Sequence, residues 1–150
     1  MRVFLGTAAV AVFLAAGSVM AAGVMSPQQI VDDRLVGMKG LVENLKAAKG
    51  ATDPAIAKAQ LAQAIAFAQA IPSKFPKGTG VGDAGVTKTR ALQDIWTKPS
   101  EFQAAADAMV VALKNADAVA GDATKFAAAF GEIPKGCGGC HTPFRGPVVP

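Results

Sequence analysis

SPQQIVDDRLVGMKGLVENLKAAKG, residues 26–50, reads as one amphipathic helix with both ends marked. Ser26 is a good N-cap, and Pro27 suits the first helical position, where a missing N–H costs no hydrogen bond. Gly50 stops the segment, as glycine does at helix C-termini. Between the marks, Val31, Leu35, Met38, Val42 and Leu45 recur at alternating steps of four and three, which makes one apolar stripe. Such a stripe needs other elements to cover it.

The flanking sequence supplies them. Asp53-Pro54 repeats the cap-plus-proline start and opens a second helix with Leu61, Ile65 and Ala68 on one face, ending before Pro72. A third runs from about Pro99 to Ala120 and stops at Gly121; its stripe is Phe102, Ala106, Met109, Leu113, Ala116 and Ala120. A fourth, capped by Asp122, carries Phe126, Phe130, Ile133, Cys137, Cys140 and Phe144 at the same spacing, and Gly146-Pro147 closes it. Pro134 removes a backbone donor and crowds the preceding turn, so a kink there, or a break with a restart, is expected. Pro143 lies near the end, where fraying costs little.

Between the second and third helices, Pro72 to Pro99 holds Gly78, Gly80, Gly82 and Gly85. Regular structure there is limited to one or two turns over Arg90–Trp96. Phe75, Ile95 and Trp96 are the residues expected to tie this segment to the core. The prediction is an all-α fold: an antiparallel four-helix bundle with one long loop between helices 2 and 3. The absence of tyrosine and the scarcity of strand formers agree with it.

Residues 1–22 stand apart from this pattern. Arg2 precedes an apolar run, Val3 to Ala16, and small residues lead to Ala21 and Ala22. This is the pattern of a cleaved secretory signal, leaving residues 23–150 as the mature domain in the periplasm. A membrane anchor would want about 20 apolar residues, which neither this run nor any later one supplies. The formal net charge of +4 includes Arg2. No dense basic stripe with aromatic partners accompanies it, which excludes nucleic-acid binding. The modest excess suits an acidic protein partner, or simply a solvated surface.

The chemistry concentrates at Cys137-Gly138-Gly139-Cys140-His141, which holds both cysteines and the one histidine of the chain. C-x-x-C-H is the signature of covalent haem attachment. Positions i, i+3 and i+4 share a helix face. Both sulfurs then reach the vinyl groups on one edge of a porphyrin, and His141 comes from the same side as an axial ligand of iron. Gly138 and Gly139 keep that edge clear. The competing readings are weaker. A thioredoxin-like pair wants strand–helix alternation, structural zinc wants four ligands, and a plain disulfide leaves His141 unexplained. A periplasmic thiol oxidoreductase using Cys137 and Cys140 is kept as the remote alternative. No Ser-His-Asp set, carboxylate pair or phosphate loop is visible, so the chain is not read as an enzyme.

The tail Cys137-Gly-Gly-Cys140-His141-Thr-Pro-Phe144-Arg145 resembles the ending of the class II c-type cytochromes, the cytochrome c-prime family and its low-spin relatives. Arg34-Leu-Val-Gly-Met38-Lys39 resembles that family's first-helix motif, an arginine with a distal-face residue four positions on. Ile71-Pro72, Phe75, Gly78-Thr79, Ile95-Trp96 and Phe102 follow in the expected order. Leu35 stands where members commonly have glutamine, and Pro134 and Pro143 are unusual in the last helix. The resemblance implies one haem c per chain, a haem propionate on Arg34, and a homodimer through the first two helices. Arg145, near the proximal side, suits a propionate or the field at iron, and equally the helix C-terminus as a cation. Phe144 is expected near the proximal face.

With a single histidine, a bis-histidine haem is excluded. The methionines outside the leader are Met25, Met38 and Met109. Met25 lies near the new N-terminus, and Met109 sits on a core stripe. Met38 occupies the position that resembles the family's distal-face residue. If its sulfur binds iron, the protein is a low-spin electron carrier, because a His/Met pair raises the reduction potential. If it only packs there, as methionine often does, the haem is five-coordinate and binds diatomic gases such as NO and CO. The redox partner cannot be read from the residues.

Overall fold

The computed structural model describes residues 25–147; the leader expected over residues 1–22 lies outside them. The helices are α1 (Pro27–Gly50), α2 (Pro54–Ala70), the single turn α3 (Asp94–Thr97), α4 (Pro99–Ala118) and α5 (Ala123–Phe144). A 3-10 turn, Pro72–Lys74, follows α2. The fold is all-helical, a four-helix bundle of α1, α2, α4 and α5, as expected.

The caps act as the sequence suggests. Ser26 Oγ accepts from the Gln29 N–H at 3.3 Å, and Gln29 Oε1 accepts from the Ser26 N–H at 2.8 Å. This reciprocal pair satisfies donors that have no partner inside the helix. Asp53 accepts from the Ala55 N–H at 2.8 Å. Asp122 accepts from the Lys125 N–H at 3.0 Å. Links as short as 51–53 and 119–122 make α1–α2 and α4–α5 antiparallel neighbours.

Packing then runs α1 on α2, α2 on α4, and α4 on α5. The centre is built from Leu61, Leu113 and Ile133, with Phe102 and Met109 beside them. The fourth seam, between α1 and α5, is not closed by comparable packing. Everything that follows depends on that open seam.

One expectation needs correction, and another, a kink or a break at Pro134, loses its second alternative. The α1 stripe is split: Val31, Arg34, Leu41 and Ala48 are the buried residues. Leu35 and Val42 remain 43% and 48% exposed, because they turn toward the open seam. The α5 helix runs through Pro134 and Pro143 without a break. Proline there forfeits one hydrogen bond. Buried Ile133 and Phe144, and the long α4–α5 contact, hold the helix on either side.

The long loop is well fastened. Trp96 Nε1 donates to Phe75 O at 2.9 Å, and Ile95 is buried. Gly80 lies under the indole, where a Cβ would come within 2.4 Å of the ring. Gly78 and Gly82 take φ of 85° and 87°, the left-handed region that favours glycine. The loop is also stitched to the end of α5. Ala91 pairs with Arg145 in an isolated antiparallel bridge. Leu92 N donates to Phe144 O at 3.0 Å, and Gly146 N to Arg90 O at 2.8 Å. Among the described residues, no helix is long and apolar enough to cross a membrane.

Candidate functional site

The open seam holds a cavity of about 260 Å³. On one side α5 contributes Cys137, Cys140, His141 and Phe144; on the other α1 contributes Arg34, Leu35, Met38 and Val42. Phe102 and Met109 of α4 form the floor, and Thr89, Arg90 and Ala91 of the loop close the end next to Arg145. The residues expected to hold or face the haem, Cys137, Cys140, His141, Met38, Arg34, Phe144 and Arg145, therefore meet at one place.

The donor set fits a porphyrin and not a bare metal ion. Among the described residues, no three His, Cys, Asp or Glu side chains gather to hold a metal. The helix is continuous through residues 137–141, so both sulfurs and the imidazole share one face. A Cβ at Gly138 or Gly139 would meet nothing within 4 Å. Cys137 and Cys140 form no disulfide with each other. Burial pushes both thiols up, above the usual range for cysteine. That is the reverse of the depressed value a thiol-exchange enzyme needs. His141 is shifted down, first by burial and then by the charges of Arg145 and Arg90. A neutral imidazole is the form that presents a lone pair to iron.

Arg34 is only 3% exposed. Its Nη1 donates to Lys74 O at 3.3 Å and Thr79 Oγ1 at 3.1 Å; its Nη2 donates to Thr79 O at 3.1 Å and Thr89 Oγ1 at 3.0 Å. The guanidinium also lies 4.0 Å from the centre of the Phe75 ring, a favourable cation–π distance. Burial lowers its pKa to about 10, so it stays charged at neutral pH. The propionate expected of Arg34 is left with Nε–H alone, because both terminal nitrogens already hold the loop.

From Arg34 an aromatic relay crosses the bundle. Phe75 meets Phe102 edge-on at 5.0 Å, and Phe102 meets Phe144 edge-on at 5.2 Å. Phe144 is thus 4% exposed, seated between the cavity and α4. The relay joins the α1 side, the loop, the floor and the α5 side into one rigid frame.

Two contributors were not legible. Gly136 precedes the motif, and a Cβ there would fall 2.9 Å from Met109 Sδ and 3.2 Å from Met109 Cα. It lets α5 approach the floor immediately before Cys137. Arg90 lies in a loop without periodicity, so nothing in the residue pattern marks its direction. A larger cavity, about 640 Å³, opens at the other end of the seam beside Lys49, Thr52, Phe126 and Phe130. It contains no sulfur, imidazole or carboxylate, so the ligating chemistry belongs to the smaller one.

A four-helix bundle with C-x-x-C-H on its last helix, facing an apolar seam, defines a class II c-type cytochrome. The Cytochrome C' family profile matches residues 29–145. The chain is 36% identical over 133 residues to cytochrome c' of Pararhodospirillum photometricum, covering 80% of this chain and 98% of that protein. It therefore belongs to the cytochrome c' family, and its cofactor is covalently bound haem c. It is also 37% identical over 75 residues to cytochrome c-554 of Cereibacter sphaeroides, covering 49% of this chain and 55% of that one. The solved cytochrome c' from Rubrivivax gelatinosus superposes with a TM-score of 0.67 at 26% identity, over 79% of this chain and 96% of its own. That from Thermochromatium tepidum, at 22% identity, shares the fold with a TM-score of 0.69 over 82% and 98%.

Proposed function

We propose that the chain is an exported electron carrier of the periplasm, released from its leader near residue 22. In it Cys137 and Cys140 would hold the haem covalently, and His141 and Met38 would supply the ligands of its iron. The haem supplies one-electron cycling between Fe(II) and Fe(III). A thioether sulfur has no thiol left to exchange, which argues against the thiol oxidoreductase. The reading is of a carrier, not an enzyme.

The observation that supports it is that Met38 and His141 line one cavity from the two helices bordering the open seam. A thioether is a soft ligand suited to haem iron, and a His/Met pair keeps coordination the same in both oxidation states and raises the potential. The chain's residues do the rest. Leu35, Val42 and Phe102 keep water from the haem faces, and the aromatic relay holds the two helices at a fixed separation. A homodimer through α1 and α2 would cover Val36 and Ile56, which are 68% and 53% exposed.

A second reading rests on the same apolar neighbours. With Leu35, Val42 and Leu45 around it, Met38 would form a crowded distal face that admits only small neutral gases such as NO or CO. Absorption spectra of the purified ferric protein separate the two. The carrier shows a weak long-wavelength band from sulfur-to-iron charge transfer and little response to CO when reduced. Met38→Ala abolishes that band and gives a high-spin spectrum that shifts with CO. A wild-type protein that is high-spin from the start, or an unchanged spectrum in the variant, removes Met38 as ligand.

A further inference from the structure

We propose that Arg90, which no motif marks, is the principal guanidinium receiving a haem propionate, while Arg34 serves as the clamp of the long loop. The inference rests on the site reading above, with haem filling the seam cavity.

The first argument is donor accounting. Arg34 spends both terminal nitrogens on Lys74 O, Thr79 and Thr89. A carboxylate approaching it would have to break bonds that hold the loop. Among the described residues, Arg90 donates only through Nε, to Gly146 O at 2.7 Å. Toward the described residues its two terminal nitrogens keep their N–H groups, the pair that engages a carboxylate bidentately.

The second argument is charge. The cavity is lined by Arg34, Arg90 and Arg145, and by no aspartate or glutamate. Among the described residues, every ion pair of the protein is formed by a lysine. Part-buried guanidinium groups with no anion are costly. The two carboxylates of the haem supply the missing charge.

The third is rigidity. Arg90 does not dangle from a loop. Its carbonyl accepts from Gly146 N at 2.8 Å, and its neighbour Ala91 pairs with Arg145. The bridge fixes Arg90 against the end of the helix that carries the haem. Anchoring by neighbouring backbone is what lets a charged side chain hold an anion without large entropic loss.

The test uses full-length protein matured in cells that attach haem c, with Arg90→Gln, Arg90→Lys and Arg34→Gln compared to wild type. The midpoint potential is followed against pH. A guanidinium beside a propionate favours its ionised form, so losing the charge raises the propionate pKa by about 1 unit or more. Arg90→Gln moves the acid-side step of the potential upward in pH and lowers the potential at pH 7. Arg90→Lys largely restores both. In Arg34→Gln the step stays in place, and hydrogen exchange over residues 72–98 speeds up. A step that moves with Arg34→Gln, or stays put in red Arg90→Gln protein, overturns the assignment. If Arg34→Gln fails to accumulate, the two Arg90 variants still decide. A colourless wild-type protein would remove the haem reading itself.

Discussion

On α5 the residues facing the cavity are spaced by covalent chemistry, and on α1 they are spaced by packing. Cys137, Cys140 and His141 sit at i, i+3 and i+4, the spacing at which two sulfurs and an imidazole on one helix face would reach a single macrocycle. Leu35, Met38, Val42 and Leu45 need only present apolar bulk, and their four-three spacing would serve a helix partner as well as a haem face. The first pattern tolerates no shift of register. The second does, which is why the same α1 supports either a sulfur ligand or a crowded gas site. The side built by bonding chemistry declares its purpose; the side built by packing must be read in place.

Each side also hides one residue that holds the other parts together. On α1 it is Arg34, and its removal is the largest effect expected. Arg34→Met deletes a buried cation together with four loop hydrogen bonds and leaves Lys74 O and Thr79 O without that donor. Losing charged hydrogen bonds of this kind costs about 3 kcal/mol in all. Denaturant unfolding of the haem-loaded protein measures it. A loss under about 1 kcal/mol would mean that the α1 side is passive and the loop fastens itself through Trp96.

On α5 the hidden residue is Gly136. Its Cβ position is 2.9 Å from Met109 Sδ, and Met109 Cα is also close, so the α5–α4 approach must widen if alanine is placed there. Gly136→Ala should cost about 2 kcal/mol, net of the gain in helix propensity. Gly131, one turn and a half earlier on the same helix, meets nothing within 4 Å. Gly131→Ala should raise stability by about 0.5–1 kcal/mol. Opposite signs from one chemical change would show that α5 is fixed by proximity to the floor. Equal signs would show that only helix propensity matters.

The contrast also explains what was legible. Helix ends followed from Ser26-Pro27, Asp53-Pro54 and Asp122, since caps act locally. That Cys137, Cys140 and His141 share one helix face followed from spacing within five positions. The split α1 stripe did not, because an apolar stripe does not say which of its residues meet a helix and which meet a cofactor. The unbroken α5 did not, because the cost of Pro134 is local and its compensation, Ile133 and the α4 contact, is tertiary. Arg34's role as a clamp required knowing where Thr79 and Thr89 come to rest, which depends on a loop with three left-handed glycines. Arg90 required the bridge between Ala91 and Arg145, a long-range pairing with no periodic signal.

The smallest effect lies at the far end of α5 from the haem, and it tests whether the chemically specified helix also depends on its cap. The Lys125 backbone N–H, and then the Lys125 side chain, hold the Asp122 carboxyl below its ordinary value of 3.8. A depressed carboxyl stabilises the folded chain above its unfolded-state pKa, and that contribution fades as pH falls through 3.8 toward the folded value. Asp122→Asn keeps an oxygen to accept the Lys125 N–H but has no charge to lose. The melting temperature of the wild type should therefore drop more steeply than that of the variant below about pH 4, with the gap between the two curves narrowing in acid. Both proteins share every other carboxyl and the haem, so only the difference between the curves is read. Parallel curves would mean that the cap charge is fully screened at this exposed position, and that α5 owes its start to the Asp122 oxygen alone.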